Sequence, residues 1–213
     1  MVGIKYISLD MDGTIVSRKY VDYFWLELVP RLYAERHSLD IETAKRVVFQ
    51  SYDEVGQGDL RWYLPRYWFQ RFGLMDELEY ALSEAGKLVE IYEDALEFFE
   101  NVPNHVKLVL STSAARDFIG LVFSRFPFLE KRFVRVFSSS SDFSLPGKPP
   151  EFFKAILREL GIGPHEILHV GDDPESDYKN PSLAGLRAVL VSRDGKYDGI
   201  KSLNDVLHMI DFY

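Results

Sequence analysis

The chain of 213 residues contains no cysteine. Disulfides, zinc–thiolate sites and thiol nucleophiles are thereby excluded, and the absence fits a reducing cytosol. No apolar run reaches the ~18 residues expected of a membrane-spanning helix. The first residues lack the charged, apolar and small-residue regions of a secretory leader. The expectation is a soluble, cytoplasmic protein with no membrane partner. Basic charge is also scarce: 25 Lys and Arg against 33 Asp and Glu give a net charge of -8, which argues against a nucleic-acid partner. Internal repeats and low-complexity segments are missing as well. What is present is 46% hydrophobic and 15% aromatic content, enough for a packed core. The length suits one domain, or one domain with a smaller insertion.

Short β-branched runs punctuate the chain. Ile4–Leu9, Lys107–Thr112, Val134–Phe137, Ile167–Val170 and Ala188–Val191 read as buried strands. Helical patterns lie between the later ones, over Ala95–Glu100, Ala115–Phe126, Pro150–Leu160 and Pro181–Ala184. Strand and helix alternating at this spacing predict βαβ units and a parallel sheet. Residues 17–90 break the rhythm. They show four helical patterns, Tyr20–His37, Ile41–Val55, Leu60–Phe72 and Asp76–Val89, with Pro65 expected to interrupt the third. The expected organisation is an α/β core of residues 1–16 and 91–213, with an all-helical insertion over 17–90. Ser202 and Asp205 suggest the start of a last helix. Ser138–Pro150 reads as a loop.

Open parallel sheets bind ligands at the C-terminal ends of their strands. The first strand ends in "DMDGT", which delivers Asp10, Asp12, Gly13 and Thr14. The second delivers Ser111, Thr112 and Ser113; the loop after the third, Lys148; the fourth, Asp172, Asp173 and Asp177. Acids this close repel each other and demand a cation. Every available ligand is oxygen, so Mg²⁺ fits best, alongside a substrate phosphate. Lys148 and Thr112 can hold further phosphate oxygens. Taken alone, each motif has a plainer reading as a turn, a helix cap or a solvated lysine; it is their convergence in one order that points to a phosphoryl-binding site.

These segments resemble the four motifs of the haloacid dehalogenase superfamily. Asp10–Thr14 is similar to its DxDGT motif, Leu108–Ser113 to a hydrophobic strand ending in a hydroxyl, Lys148 to the lysine motif, and Gly171–Asp177 to GDxxxxD. The sequence departs from the pattern at "GKPPE", where the usual spacing is shortened, and at Asp173, where Ser or Thr is common. The resemblance implies a Rossmann-like parallel-sheet core with a helical C1-type cap, and a phosphatase that hydrolyses a small phosphorylated metabolite. Asp10 would be the nucleophile and Asp12 the general acid and base. Thr112, Ser113, Lys148 and the backbone N–H groups of Met11 and Asp12 would bind the phosphoryl group. Asp10, Asp172 and the Asp12 carbonyl would ligate Mg²⁺, with Asp177 and Asp173 ordering its waters. A phosphomutase or phosphotransferase of the same superfamily shares these features. A signalling module with a stable phospho-aspartate is the rival from another class. Within the insertion, Trp62, Tyr63, Trp68, Phe69 and Phe72 are expected in the bundle core. Arg61 or Arg66 would select substrate if its helix aimed inward. His169 is expected to be structural. The oligomeric state is not readable.

Overall fold

The computed structural model describes residues 3–210. Five strands, β1 (Tyr6–Leu9), β2 (Lys107–Thr112), β3 (Phe133–Ser138), β4 (Ile167–Gly171) and β5 (Arg187–Leu190), form one sheet. Their order is β3-β2-β1-β4-β5, and every neighbouring pair is parallel. The fold is thus a Rossmann-like α/β sheet. Central strands of such sheets are buried on both faces, which is why β1, β2 and β4 read as unbroken apolar runs rather than alternating ones. Strand order reverses at β1, whose C-terminal end therefore opens into a crevice between β2 and β4.

A helical insertion follows β1. It comprises α1 (Lys19–Tyr23), α2 (Val29–His37), α3 (Ile41–Val55), α4 (Pro65–Arg71) and α5 (Leu78–Gly86). Between α1 and α2 the chain stays helical but widens into π turns over Phe24–Leu28. Pro30 explains the widening: it cannot donate to the helical ladder, and its ring crowds the carbonyl four residues earlier. α3 occupies the span its periodicity predicts. It starts at Asp40, whose side chain accepts from the Thr43 N–H at 2.9 Å, and it ends at Gly56. The pattern over Leu60–Phe72 is split into a 3₁₀ turn, Leu60–Tyr63, and α4. Pro65 forces Leu64 into an extended conformation (φ -104°, ψ 104°), as a residue before proline prefers.

The insertion enters and leaves the sheet at one place. Val16 and Ile91 form an antiparallel bridge, and the Ser17 N–H donates to the Glu90 carbonyl at 2.9 Å. The chain then passes through α6 (Glu93–Asn101) into β2 and from there into α7 (Arg116–Arg125).

Both sheet faces are covered. The larger apolar cluster runs from the sheet into the insertion without a break, joining Ile7, Leu9 and Leu110 to Phe24, Trp68 and Phe69. The smaller one packs Phe152, Phe153 and Ile156 of the Pro150–Leu160 helix on Val109 and Ile167. Several helical pieces lie outside the expected elements, among them a 3₁₀ turn over Pro164–Glu166 and π turns over Pro174–Lys179. Pro127–Arg132 follows α7 directly, and Ser139–Asp142 is a single turn inside the predicted loop, capped by Ser138. The last helix begins at Asp205, later than the start expected at Ser202, whose N–H donates to the Asp205 carboxylate at 3.1 Å. Among the described residues, no helix is long and apolar enough to cross a membrane.

Phe152 is fully buried and meets Phe143 and Phe153 edge to face at 5.5 and 5.4 Å. Phe152→Ala is expected to lower unfolding free energy by about 3–5 kcal/mol. Urea denaturation followed by circular dichroism measures this; a loss under about 1 kcal/mol would mean that the site collapses around the cavity.

Candidate active site

β1 stops where its first carboxylate begins. Leu9 pairs with Leu110 on one side and Val170 on the other, and the Asp10 N–H still donates to the Val170 carbonyl at 3.0 Å. The chain then turns sharply at Gly13, with φ +87°. A Cβ at Gly13 would lie 2.2 Å from Asp172 Oδ2. A Cβ at Gly171 would lie 2.2 Å from the Asp177 carboxyl carbon. Glycine at these two positions is what lets the first loop and the loop after β4 bring their acids together.

Asp10, Asp172 and Asp177 each place a carboxylate oxygen within 4.8 Å of the other two. Lys148 is buried among them. Its Nζ donates to Asp10 Oδ1 at 2.6 Å and also bonds Asp177 Oδ1. Asp177 is further held by His169 Nε2 at 2.8 Å and by the Asp173 N–H at 3.1 Å. Behind it, the His169 Nδ1 lies 2.8 Å from Ser8 Oγ, which lies 2.8 Å from Ser111 Oγ. A buried polar line thus crosses β4, β1 and β2 beneath the acids.

Charge states follow from these contacts. Burial pushes the Asp172 carboxyl up to about 7, with Asp10 and Asp177 adding repulsion. Burial likewise pushes Asp12 up to about 7, against the Tyr20 hydrogen bond that lowers it. Burial raises Asp10 as well, opposed by Lys148. Asp177 is held below the usual carboxylate range: burial would raise it, but Lys148 and His169 outweigh burial. Lys148 is held above its ordinary value, because Asp10 and Asp177 outweigh its own desolvation.

The expected residues fall into two groups. Asp10, Asp12, Thr112, Ser113, Lys148, Asp172, Asp173 and Asp177 all border one cavity of about 380 Å³. Alternation along β2 separates the two candidate hydroxyls: Thr112 borders the cavity while Ser111 turns to Ser8. The Met11 side chain is buried in the apolar core. Asp173 stands apart from the acid cluster, because its Oδ1 accepts from the Glu175 and Ser176 N–H groups at 3.1 and 2.7 Å. It caps the turn that carries Asp177. Arg61 and Arg66 do not border the cavity. Arg61 chelates Asp59 at 2.9 and 2.7 Å, and Arg66 pairs with Asp117 at 3.2 Å. The break at Leu64 turns Trp62 and Tyr63 toward the cavity instead, while Phe69 and Phe72 stay in the core as expected.

A model of the haloacid dehalogenase-like hydrolase family matches residues 4–184. The chain belongs to this family. Among characterised haloacid dehalogenase-like proteins, the GMP/IMP nucleotidase YrfG of Escherichia coli is 25% identical over 97% of this chain and 94% of its own. Two solved structures share the fold. The HAD phosphatase from Thermococcus onnurineus has a TM-score of 0.82 at 21% identity, covering 97% of both chains. The putative HAD-hydrolase YfnB from Bacillus subtilis, bound to magnesium, has a TM-score of 0.67 at 19% identity, covering 98% of this chain and 99% of that one.

Other residues of this haloacid dehalogenase-like hydrolase reach the site without a motif to announce them. Arg18, Trp25, Tyr52, Gln57 and Phe118 complete much of the cavity wall. Tyr20 donates to Asp12 Oδ1 at 2.5 Å. Arg193, from the segment after β5, donates to the Gly13 and Thr14 carbonyls at 2.8 and 2.9 Å. It also pairs with Asp94 at 2.9 Å and stacks 3.9 Å over the Tyr92 ring. His169 is structural in position, as expected, but it also holds Asp177. Sequence offered little signal for these contacts, since each joins residues from different elements.

The raised carboxyls couple stability to pH. Asp12 and Asp172 move from 3.8 to about 7 on folding, so the folded chain keeps protons that the unfolded chain releases. Their contribution is complete below 3.8 and disappears as pH rises through about 7. A divalent cation held by ionised carboxylates binds better as those protons leave. The expected outcome is a larger Mg²⁺-induced rise in melting temperature at pH 8 than at pH 5.5. Differential scanning fluorimetry checks it, and equal shifts at both pH values would contradict the charge assignment.

Proposed function

We propose that this hydrolase is a Mg²⁺-dependent phosphatase that cleaves a small phosphomonoester through a phosphorylated Asp10. The observation that carries this reading is the meeting of Asp10, Asp12, Thr112, Lys148 and Asp172 around one cavity at the switch point of the sheet. In the first step an Asp10 oxygen attacks phosphorus, and the bond to the ester oxygen breaks. Asp12 gives its proton to that leaving oxygen. With a carboxyl near 7, Asp12 is protonated often enough to act as acid, yet basic enough to work in reverse. In the second step Asp12 takes a proton from water, which displaces phosphate and restores Asp10. Lys148, Thr112 and the N–H groups of Met11 and Asp12 balance the charge on the phosphoryl oxygens. The Lys148–Asp10 ion pair also favours the anionic nucleophile against its burial.

The donor set fits magnesium. Asp10 and Asp172 are hard oxygen donors raised chiefly by burial and further by neighbouring acids, and a cation would offset both. They would hold the ion with the Asp12 backbone carbonyl, while Asp177 steadies the site from behind Lys148. When bound, the ion neutralises phosphoryl charge and orients the phosphate. The magnesium-bound relative YfnB is consistent with this. Residues 17–90 act as a cap over a core of residues 1–16 and 91–213, hinged at the paired crossings Val16 and Ile91. Cap side chains Trp25, Tyr52 and Trp62, with Phe118 of the core, give the leaving group an apolar, aromatic wall. That wall and the nucleotidase relative favour a nucleoside 5′-monophosphate among small metabolites.

The test is turnover of a panel of phosphorylated metabolites, nucleotides included, by the purified protein. Asp10→Asn is expected to remove activity by at least ~1,000-fold while leaving the circular dichroism spectrum unchanged. EDTA should abolish turnover and Mg²⁺ should restore it better than Ca²⁺, whose looser coordination misplaces the reacting groups. Near-normal turnover by folded Asp10→Asn, or by rigorously metal-free protein, would overturn the reading. If nucleotides are favoured, Trp62→Ala should raise their KM about tenfold and leave 4-nitrophenyl phosphate within about threefold. Equal changes for both would remove Trp62 from substrate selection.

A further inference from the structure

Tyr20 is wholly buried although it carries a polar group. Its hydroxyl finds one partner, Asp12 Oδ1, at 2.5 Å. Tyr20 lies in α1, the first helix of the insertion, and its ring meets Phe118 of α7 edge to face at 6.1 Å. It is therefore fixed from both the insertion and the core. Among the described residues, no other side chain or N–H group donates to the Asp12 carboxyl. The second oxygen, Oδ2, is left to the cavity that Asp12 borders.

We infer that Tyr20 is a positioning residue that decides which oxygen of Asp12 carries the transferable proton. This rests on the reading of Asp12 as the general acid. A carboxyl oxygen that accepts a hydrogen bond from a phenol is a poor place for the carboxyl's own proton, since the two hydrogens would face each other. The proton is therefore directed to Oδ2. When the Asp10–phosphorus bond forms and the phosphorus–ester bond breaks, that proton moves from Oδ2 to the ester oxygen, leaving Asp12 ionised. Tyr20 then stabilises the carboxylate through the same bond, now charge-assisted and stronger. The buried hydroxyl has Asp12 Oδ1 as its hydrogen-bond partner, so it is aimed as a donor at that oxygen. Tyr20 itself exchanges no proton with substrate. Because it belongs to α1, the acid is complete only when that helix is seated against α7.

The test is a leaving-group series read as kcat/KM, which reports the first chemical step. Wild type, Tyr20→Phe, Asp12→Asn and the double variant are assayed with 4-nitrophenyl phosphate, 4-methoxyphenyl phosphate and an alkyl phosphate. Melting temperature is recorded for each. Tyr20→Phe keeps the ring and its packing on Phe118. It is expected to cost about tenfold or more with the alkyl ester and less than about threefold with the nitrophenyl ester, which needs no proton. In the Asp12→Asn background, where the acid is already lost, Tyr20→Phe should add no further steepening. If Tyr20→Phe lowers all substrates equally, or none, Tyr20 is only a structural pin and the inference fails. If Asp12→Asn itself leaves the leaving-group dependence unchanged, the general-acid reading fails with it. Steepening in Asp12→Asn without steepening in Tyr20→Phe preserves that reading and removes Tyr20 from it.

Discussion

Lys148 between Asp10 and Asp177 is the contact on which the rest of the site depends. Three charged groups are nearly sealed from water here, with side-chain exposures of 3% for Lys148, 7% for Asp10 and 1% for Asp177. Removing ions from water is costly unless each finds its counter-charge with good geometry. Much of the neighbouring structure serves that condition. Ser139 bonds the Gly147 carbonyl, and the Leu145 N–H returns to the Ser139 carbonyl at 2.9 Å, so the lysine loop has one path to follow. His169 and the Asp173 N–H hold the far acid. Ser8 and Ser111 satisfy the histidine's second nitrogen and each other without opening the sheet to water.

The same condition divides the labour between the two parts of the chain. The ends of β1, β2 and β4 supply rigid backbone, and with it the carboxylates and hydroxyls that border the cavity. The stretch of residues 17–90 supplies Trp25, Tyr52 and Trp62 to the wall of the same cavity. Arg193 joins the first loop to α6. It binds the Gly13 and Thr14 carbonyls while pairing with Asp94, just beyond the return crossing.

Most of this plan was legible in the sequence, and the illegible parts have physical causes. Strands β2 and β4, α3 and the Pro150–Leu160 helix lie within a residue of their predicted spans, because burial on both sheet faces or on one helix face leaves a strong pattern. Asp10 and Asp172 were legible because each directly follows a strand and the topology gathers strand ends, whereas Asp177 comes back to them through the turn beyond β4. Asp173 misled by its company: followed by Pro174, it carried the signature of a helix cap, and the structure uses it as one. Pro65 was expected to interrupt the pattern over Leu60–Phe72, but which way the side chains on either side of it would face was not legible. The break at Leu64 rotates its two halves independently. Tyr20 was hidden for another reason. In a one-dimensional pattern a tyrosine counts as an apolar position, and only the fold shows where its hydroxyl points.

The bridge between Val16 and Ile91 has an evolutionary reading. Because the excursion over residues 17–90 begins and ends on paired residues, its removal would leave β1, α6 and β2 as an ordinary parallel crossover. The strand pairing involves none of the excursion's residues, although the apolar cluster that Leu9 and Leu110 share with Phe24 and Phe69 would lose one side. A graft of another size or shape could occupy the same port, since nothing in the sheet records the length of what passes through it. The paired crossing thus confines the whole excursion to a single port beside β1.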